Sequence, residues 1–222
     1  MIPLIEFATR EALAQASAGC IADALNQAIA ERGGACAALS GGATPEPAYR
    51  ALAALPLDWP RVTFLLVDER FVPPDHAASN EGMLRRALAR ALNAGARLVP
   101  MFAANASLAE AARRANENCA RQRIDIALLG MGEDGHVASW FPHSPELEAA
   151  LDAANGATVI AVHAPGAAGS SERLTMTLAA IARAKQRLLL IAGPAKRALI
   201  ENGAPIANTL FAAAPTEILW AA

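Results

Sequence analysis

Short apolar runs alternate with longer amphipathic stretches along this 222-residue chain. Ile2–Phe7 reads as a first strand. Thr9 then opens a long helix, with Ala12, Ala16, Cys20, Ile21, Leu25 and Ile29 as its apolar positions and Gly33-Gly34 as its stop. Ala35–Leu39 is an apolar strand terminated by Ser40-Gly41-Gly42-Ala43-Thr44-Pro45, and Pro45 suits the first turn of a helix from Glu46 to about Leu55. Val62–Val67 is the next strand and ends in Asp68-Glu69-Arg70. Beyond a proline-rich loop, Ser79 is a good N-cap for a helix running to about Asn93.

A short strand at Leu98–Pro100 and a helix from Ser107 to about Gln122 lead to Ile124–Leu129, a compact apolar strand stopped by Gly130, Gly132 and Gly135. After a break at Pro142–Pro145 come a helix over Glu146–Ala153, a strand over Ala157–Val162, a flexible loop over Gly166–Ser171 and the segment Glu172–Thr177. Gln186–Ala192 is apolar again, stops at Gly193-Pro194 and precedes a helix carrying Lys196 and Arg197; Thr216–Trp220 closes as a strand. Strands alternating with helices predict an α/β fold: a mostly parallel, Rossmann-like doubly wound sheet with helices on both faces. A single domain is expected over residues 1–222.

Composition narrows the class. At 54% hydrophobic and 18% charged residues the chain is a folded globule. A net charge of −2 offers no general attraction for nucleic acid or anionic membranes, so neither is an expected partner. Cys20, Cys36 and Cys119 show no pairing or ligand spacing, as expected of buried thiols in a reducing compartment. No apolar run reaches transmembrane length, and charged residues follow Met1–Phe7 at once, so neither a membrane span nor a signal peptide is expected. The reading is a cytoplasmic protein.

Four strand ends carry chemistry: Ser40–Thr44, Asp68–Arg70, Gly130–His136 and Gly193–Lys196. In a parallel sheet these ends share one edge and can converge on one ligand. The N–H groups of Gly41 and Gly42, with the hydroxyls of Ser40 and Thr44, can cradle oxyanions, and Arg173 and Lys196 would add positive charge. Together these groups fit a phosphorylated, hydroxyl-rich small molecule. Within the glycine turn, His136 carries an imidazole, a side chain able to accept or donate a proton. Glu133 and Asp134 are both placed to orient it. The pattern Gly130-x-Gly132-x-x-Gly135 is also the dinucleotide fingerprint, but Pro142 and Pro145 leave little room for the required helix, and the next strand ends in His163 rather than an acid. The histidines lack metal-ligand spacing, so no metal or other cofactor is expected. Neither a Walker loop nor a nucleophile elbow occurs, which favours His136 as a base acting on water or substrate.

The segments LSGGATP (39–45), VDERFVPPDHAASNEGM (67–83), LLGMGEDGHVASWFP (128–142), ERLTMTL (172–178) and GPAKR (193–197) together resemble the 6-phosphogluconolactonase family, within the superfamily that includes glucosamine-6-phosphate deaminase. The resemblance covers almost the whole chain. It implies a hydrolase that opens 6-phosphoglucono-δ-lactone to 6-phosphogluconate, the second step of the oxidative pentose phosphate route, with a sugar-phosphate lactone as its small-molecule partner. It further implies His136 as general base and Asp68 as the second catalytic residue, Asp68 and Arg70 being an acidic and basic pair lining the pocket, with Gly132, Arg173, Lys196 and the Ser40–Thr44 turn binding the substrate and its phosphate. The stretch GAAGSS before Glu172 departs from the proline-rich stretch of many relatives. Two other functions share these features: an amino-sugar-phosphate deaminase or isomerase, and a non-catalytic sugar-phosphate sensor. The deaminase chemistry requires a carboxylate to move a proton at the second carbon.

Overall fold

The computed structural model describes residues 4–222; Ile2 and Pro3 of the expected first strand lie outside the described residues. In chain order the elements are β1 (Leu4–Phe7), α1 (Arg10–Arg32), β2 (Ala35–Leu39), α2 (Glu46–Leu52), β3 (Val62–Leu66), β4 (Asp68–Arg70), α3 (Asn80–Ala87), α4 (Ala89–Asn93), β5 (Arg97–Val99) and α5 (Leu108–Ala120). Then follow β6 (Ile126–Gly130), α6 (Leu147–Leu151), β7 (Val159–His163), β8 (Glu172–Met176), α7 (Leu178–Ala182), β9 (Gln186–Ala192), α8 (Pro194–Glu201), α9 (Pro205–Ala213) and β10 (Glu217–Ala221).

Local signals decide the helix starts. The hydroxyls of Thr9, Ser79 and Ser107 accept the N–H groups of Ala12, Gly82 and Glu110 at 3.0–3.2 Å, satisfying donors that a first turn leaves open. Gly33 closes α1 with φ 80°. The buried stripe of α1 runs through Leu13, Ser17, Ile21, Leu25 and Ala28, one position away from the expected Ala12–Ala16–Cys20 phase; Ala12 is exposed and Cys20 only half-buried. A methyl group has little area with which to choose a face, so the larger Leu13 and Ile21 set the rotation. The helix expected from Ser79 to Asn93 is interrupted at Leu88, and α7 and α9 add helices that the pattern did not predict.

Seven parallel strands form the central sheet in the order β1-β10-β9-β6-β2-β3-β5, with helices around it. β2 and β3 are buried at every residue, as strands covered on both faces must be. From β2 the chain moves outward to β3 and β5, then returns to the other side of β2 as β6. The order therefore reverses between β2 and β6, where open α/β sheets hold their ligands.

A second, three-stranded antiparallel sheet, β4-β8-β7, takes the strand expected at Ala157–Val162 and adds a strand at Glu172–Met176, a segment the pattern left unassigned. Val67 is the crossing point: its N–H donates to Leu39 O at 3.0 Å, while its own carbonyl accepts the Met176 N–H at 2.8 Å. Asp68–Arg70, expected as a polar strand end, is thus itself a strand. Its register sets Asp68 opposite Thr175 and Arg70 opposite Arg173.

Candidate active site

At the carboxyl ends of β2 and β6 lies a cavity of about 240 Å³. Every residue that the sequence assigned to catalysis or substrate binding lines it: Ser40, Gly41, Gly42, Thr44, Asp68, Arg70, Gly132, His136, Arg173 and Lys196. Asn80, Met131 and Ala138 are among the other residues of the wall. A larger cavity of about 610 Å³ at the amino ends of β9 and β10 contains no comparable convergence of groups; its Cys20 thiol is pushed up by burial and by nearby Glu217 and Asp23.

The His136 turn is built by backbone hydrogen bonds. Gly132 N–H donates to His136 O at 2.8 Å, Gly135 N–H to Gly132 O at 3.2 Å, and Gly135 takes φ 84°, a left-handed conformation suited to glycine. No helix follows directly; the next begins at Leu147, so the glycines do not open a dinucleotide-type helix. Asp134, rather than Glu133, orients the imidazole, with Oδ1 2.5 Å from His136 Nδ1 and 3.2 Å from the His136 N–H. Burial acts to raise the Asp134 carboxyl, but hydrogen bonds and charge from His136 prevail and hold it below its usual value. An ionised carboxylate only accepts, so the shared proton sits on Nδ1 and the neutral ring keeps its lone pair on Nε2. The Phe141 ring packs against the imidazole with centroids 4.2 Å apart.

The cationic wall comes from the small sheet. Placing Arg70 opposite Arg173 sets like charges side by side, an arrangement that costs energy unless an anion sits between them. Asp68 is the nearby carboxylate: Oδ2 accepts the Ser139 hydroxyl at 2.6 Å and lies 4.0 Å from Arg173 Nη1, while Oδ1 is 3.3 Å from Asn80 Nδ2. Arg173 is almost wholly buried. Its guanidinium donates to Ser170 O (2.9 Å) and Ala168 O (2.6 Å) and lies 5.3 Å from the Phe141 centroid. The GAAGSS loop is thus shaped around this arginine. Burial pulls the Arg173 pKa down, as it does for Lys196 at the start of α8.

Sequence reasoning missed Asn80 and included Glu69 only as a member of the Asp68–Arg70 strand end. Asn80 donates to Asp68 O at 2.9 Å and accepts from Arg70 Nη1 at 3.1 Å. A Cβ on Gly41 would overlap its amide, so only glycine lets the β2 loop close down here. Glu69, fully buried, accepts the N–H groups of Arg70, Asn80 and Glu81 at 2.7 Å and the Ser79 hydroxyl at 3.0 Å. Burial pushes its carboxyl above the usual range against the pull of these bonds. The acidic residue anchors the start of α3 and thereby the position of Asn80. Ser40 is tied down as well: its Oγ accepts the Gly130 N–H at 3.3 Å and its carbonyl accepts the Tyr49 hydroxyl at 2.7 Å.

The sequence profile of the family described as glucosamine-6-phosphate isomerases/6-phosphogluconolactonase matches residues 8–215. The chain belongs to this family. The 6-phosphogluconolactonase of Caulobacter vibrioides is 40% identical, across 99% of this chain and 97% of that protein. That of Mesorhizobium japonicum is also 40% identical, across 97% and 93% respectively. Among solved structures, a crystallised 6-phosphogluconolactonase from Shewanella baltica superposes with a TM-score of 0.92 at 31% identity, covering 100% of this chain and 98% of that one. The family match accommodates both isomerase and lactonase chemistry, so the site's own geometry bears on the choice between them.

Proposed function

We propose that this chain hydrolyses 6-phosphoglucono-δ-lactone to 6-phosphogluconate, as a cytoplasmic enzyme of the oxidative pentose phosphate route, within one catalytic domain. The observation that carries the reading is His136, oriented through Nδ1 by Asp134, in one cavity with the juxtaposed Arg70 and Arg173. His136 Nε2 takes a proton from water as the water oxygen bonds to the lactone carbonyl carbon. The charge gained by the carbonyl oxygen is stabilised by Arg70, held in place by Asn80 and Ala78 O. Collapse breaks the ring carbon–oxygen bond, and the departing ring oxygen takes the proton back from the imidazolium. Arg173, Lys196 and the Ser40–Thr44 loop hold the phosphate; Asp68 sets the pose of Arg173 and Asn80.

Deaminase chemistry would need a carboxylate free to shuttle a proton, and both Asp68 oxygens are engaged by Ser139 and Asn80. This favours the lactonase reading. The decisive assay follows freshly generated lactone against its spontaneous hydrolysis. Acceleration well above background is expected; none, with 6-phosphogluconate still bound, would sink the proposal.

Gly132 supplies a finer test. A Cβ there would run into the His136 ring and come within 2.6 Å of Asp134 Oδ1, although the Gly132 backbone is not in the left-handed region. Gly132→Ala should therefore fold and yet misplace the base. A shift of about 1 Å costs about 100-fold in kcat. Wild-type turnover in this variant would show that the ring's position is not critical.

A further inference from the structure

The opposite edge of the sheet carries a second concentration of cations. Around the amino ends of β2, β3, β5 and β6, a cavity of about 200 Å³ is walled by Arg32, Arg61, Arg97 and Arg123, with Thr63 and Gln122 between them. Two carboxylates pair with these arginines. Buried Asp125 holds the Arg32 guanidinium and the Cys36 N–H, and exposed Asp58 meets Arg61 Nε at 2.7 Å. Arg97 reaches only the Thr63 hydroxyl, at 3.3 Å, and Arg123 has no hydrogen-bond or ion-pair partner among the described residues. Four arginines against two carboxylates leave two positive charges uncompensated here, in a chain whose net charge is −2.

The active site does not account for this cluster. β2 separates the two cavities by its full five residues, about 16 Å at the usual strand rise. Planar guanidinium forks match phosphate oxygens in pairs, and the Thr63 hydroxyl and Gln122 amide add neutral polar groups. The volume lies below the range of about 300–1,000 Å³ usual for whole drug-sized ligands, which suits a compact anionic group. We propose that this cavity binds a small, multiply charged phosphate compound through a diphosphate-sized group, independently of the active site. A free inorganic anion and the phosphate end of a nucleotide share that chemistry.

Calorimetric titration with pyrophosphate and, separately, ADP tests the proposal on the whole chain and requires no lactonase assay. Arg97→Gln combined with Arg123→Gln removes two exposed side chains that carry little of the fold. At least a tenfold loss of pyrophosphate affinity is expected in this double variant, with lactone hydrolysis unchanged. Tighter binding of ADP than of pyrophosphate, lost in the same variant, would support the site and identify a nucleotide as the source of the phosphate. The proposal is overturned if wild type binds neither probe at millimolar concentration. It is equally overturned if the double variant binds both as wild type does, and displacement by 6-phosphogluconate would then place the anion in the active site.

Discussion

Replacing His136 by alanine is expected to lower kcat for lactone hydrolysis by about 100- to 10,000-fold, the usual range for a positioned general base, while 6-phosphogluconate still binds. The argument rests on proton geometry. Asp134 Oδ1 holds Nδ1 at 2.5 Å, which fixes the tautomer and leaves Nε2 as the lone-pair nitrogen. No other group in the cavity offers an equally free base, because both Asp68 oxygens are engaged by Ser139 and Asn80. Single-turnover rates corrected for spontaneous hydrolysis, beside product binding by calorimetry, check the claim. Activity that survives would move the base to Asp68. The pair also carries a pH signature. Because the Asp134 carboxyl lies below its usual value, the stability it contributes is complete above the unfolded value of about 3.9 and is lost as pH falls through the folded one. In His136→Ala the shift should largely vanish, so carboxyl titration followed by NMR should show Asp134 moving up.

Glu69→Ala is expected to destabilise the fold by about 3 kcal/mol, well above the ordinary substitution at about 1 kcal/mol. The carboxylate serves three backbone N–H groups and one hydroxyl from a fully buried position. Each buried donor left without an acceptor costs about 1–3 kcal/mol, and water entering the space offsets part of the sum. For a chain of this size the loss corresponds to roughly 6–12 °C in Tm. Activity should fall with it, through KM and kcat together, because the start of α3 carries Asn80 and Asn80 holds Asp68 and Arg70. Glu69→Gln keeps the shape but turns an amide N–H₂ toward N–H donors, so it should recover only part of the stability. A Tm within about 2 °C of wild type in Glu69→Ala would show that α3 is anchored elsewhere.

What the sequence determined by itself is what neighbours within a few residues can decide. Fully apolar runs such as Ala35–Leu39 and Ile126–Leu129 could only be strands covered on both faces, and the glycines after them could only be turns. Thr9, Ser79 and Ser107 announce helix starts because a cap acts across three residues. The Asp-Gly-His turn is legible for the same reason, but the choice between Glu133 and Asp134 came only with the Asp134 Oδ1–His136 Nδ1 contact. Everything that required a distant partner was left to the tertiary structure. The chemistry of Asp68–Arg70 was visible, but its pairing with Glu172–Met176 as a second sheet depends on bringing residues 70 and 173 together, and no local pattern encodes that register. Glu69 belongs to a strand end legible in the sequence, but its part as the buried anchor of α3 emerges only when Ser79–Glu81 close over it, and Asn80 looks like an ordinary helix residue until the Gly41 loop packs against its amide. The four arginines at the far edge come from four separate stretches, each unremarkable alone; only the common start of four parallel strands gathers them. Periodicity and capping are short-range forces, whereas the meeting of charges across a sheet is settled by the packing of the whole core.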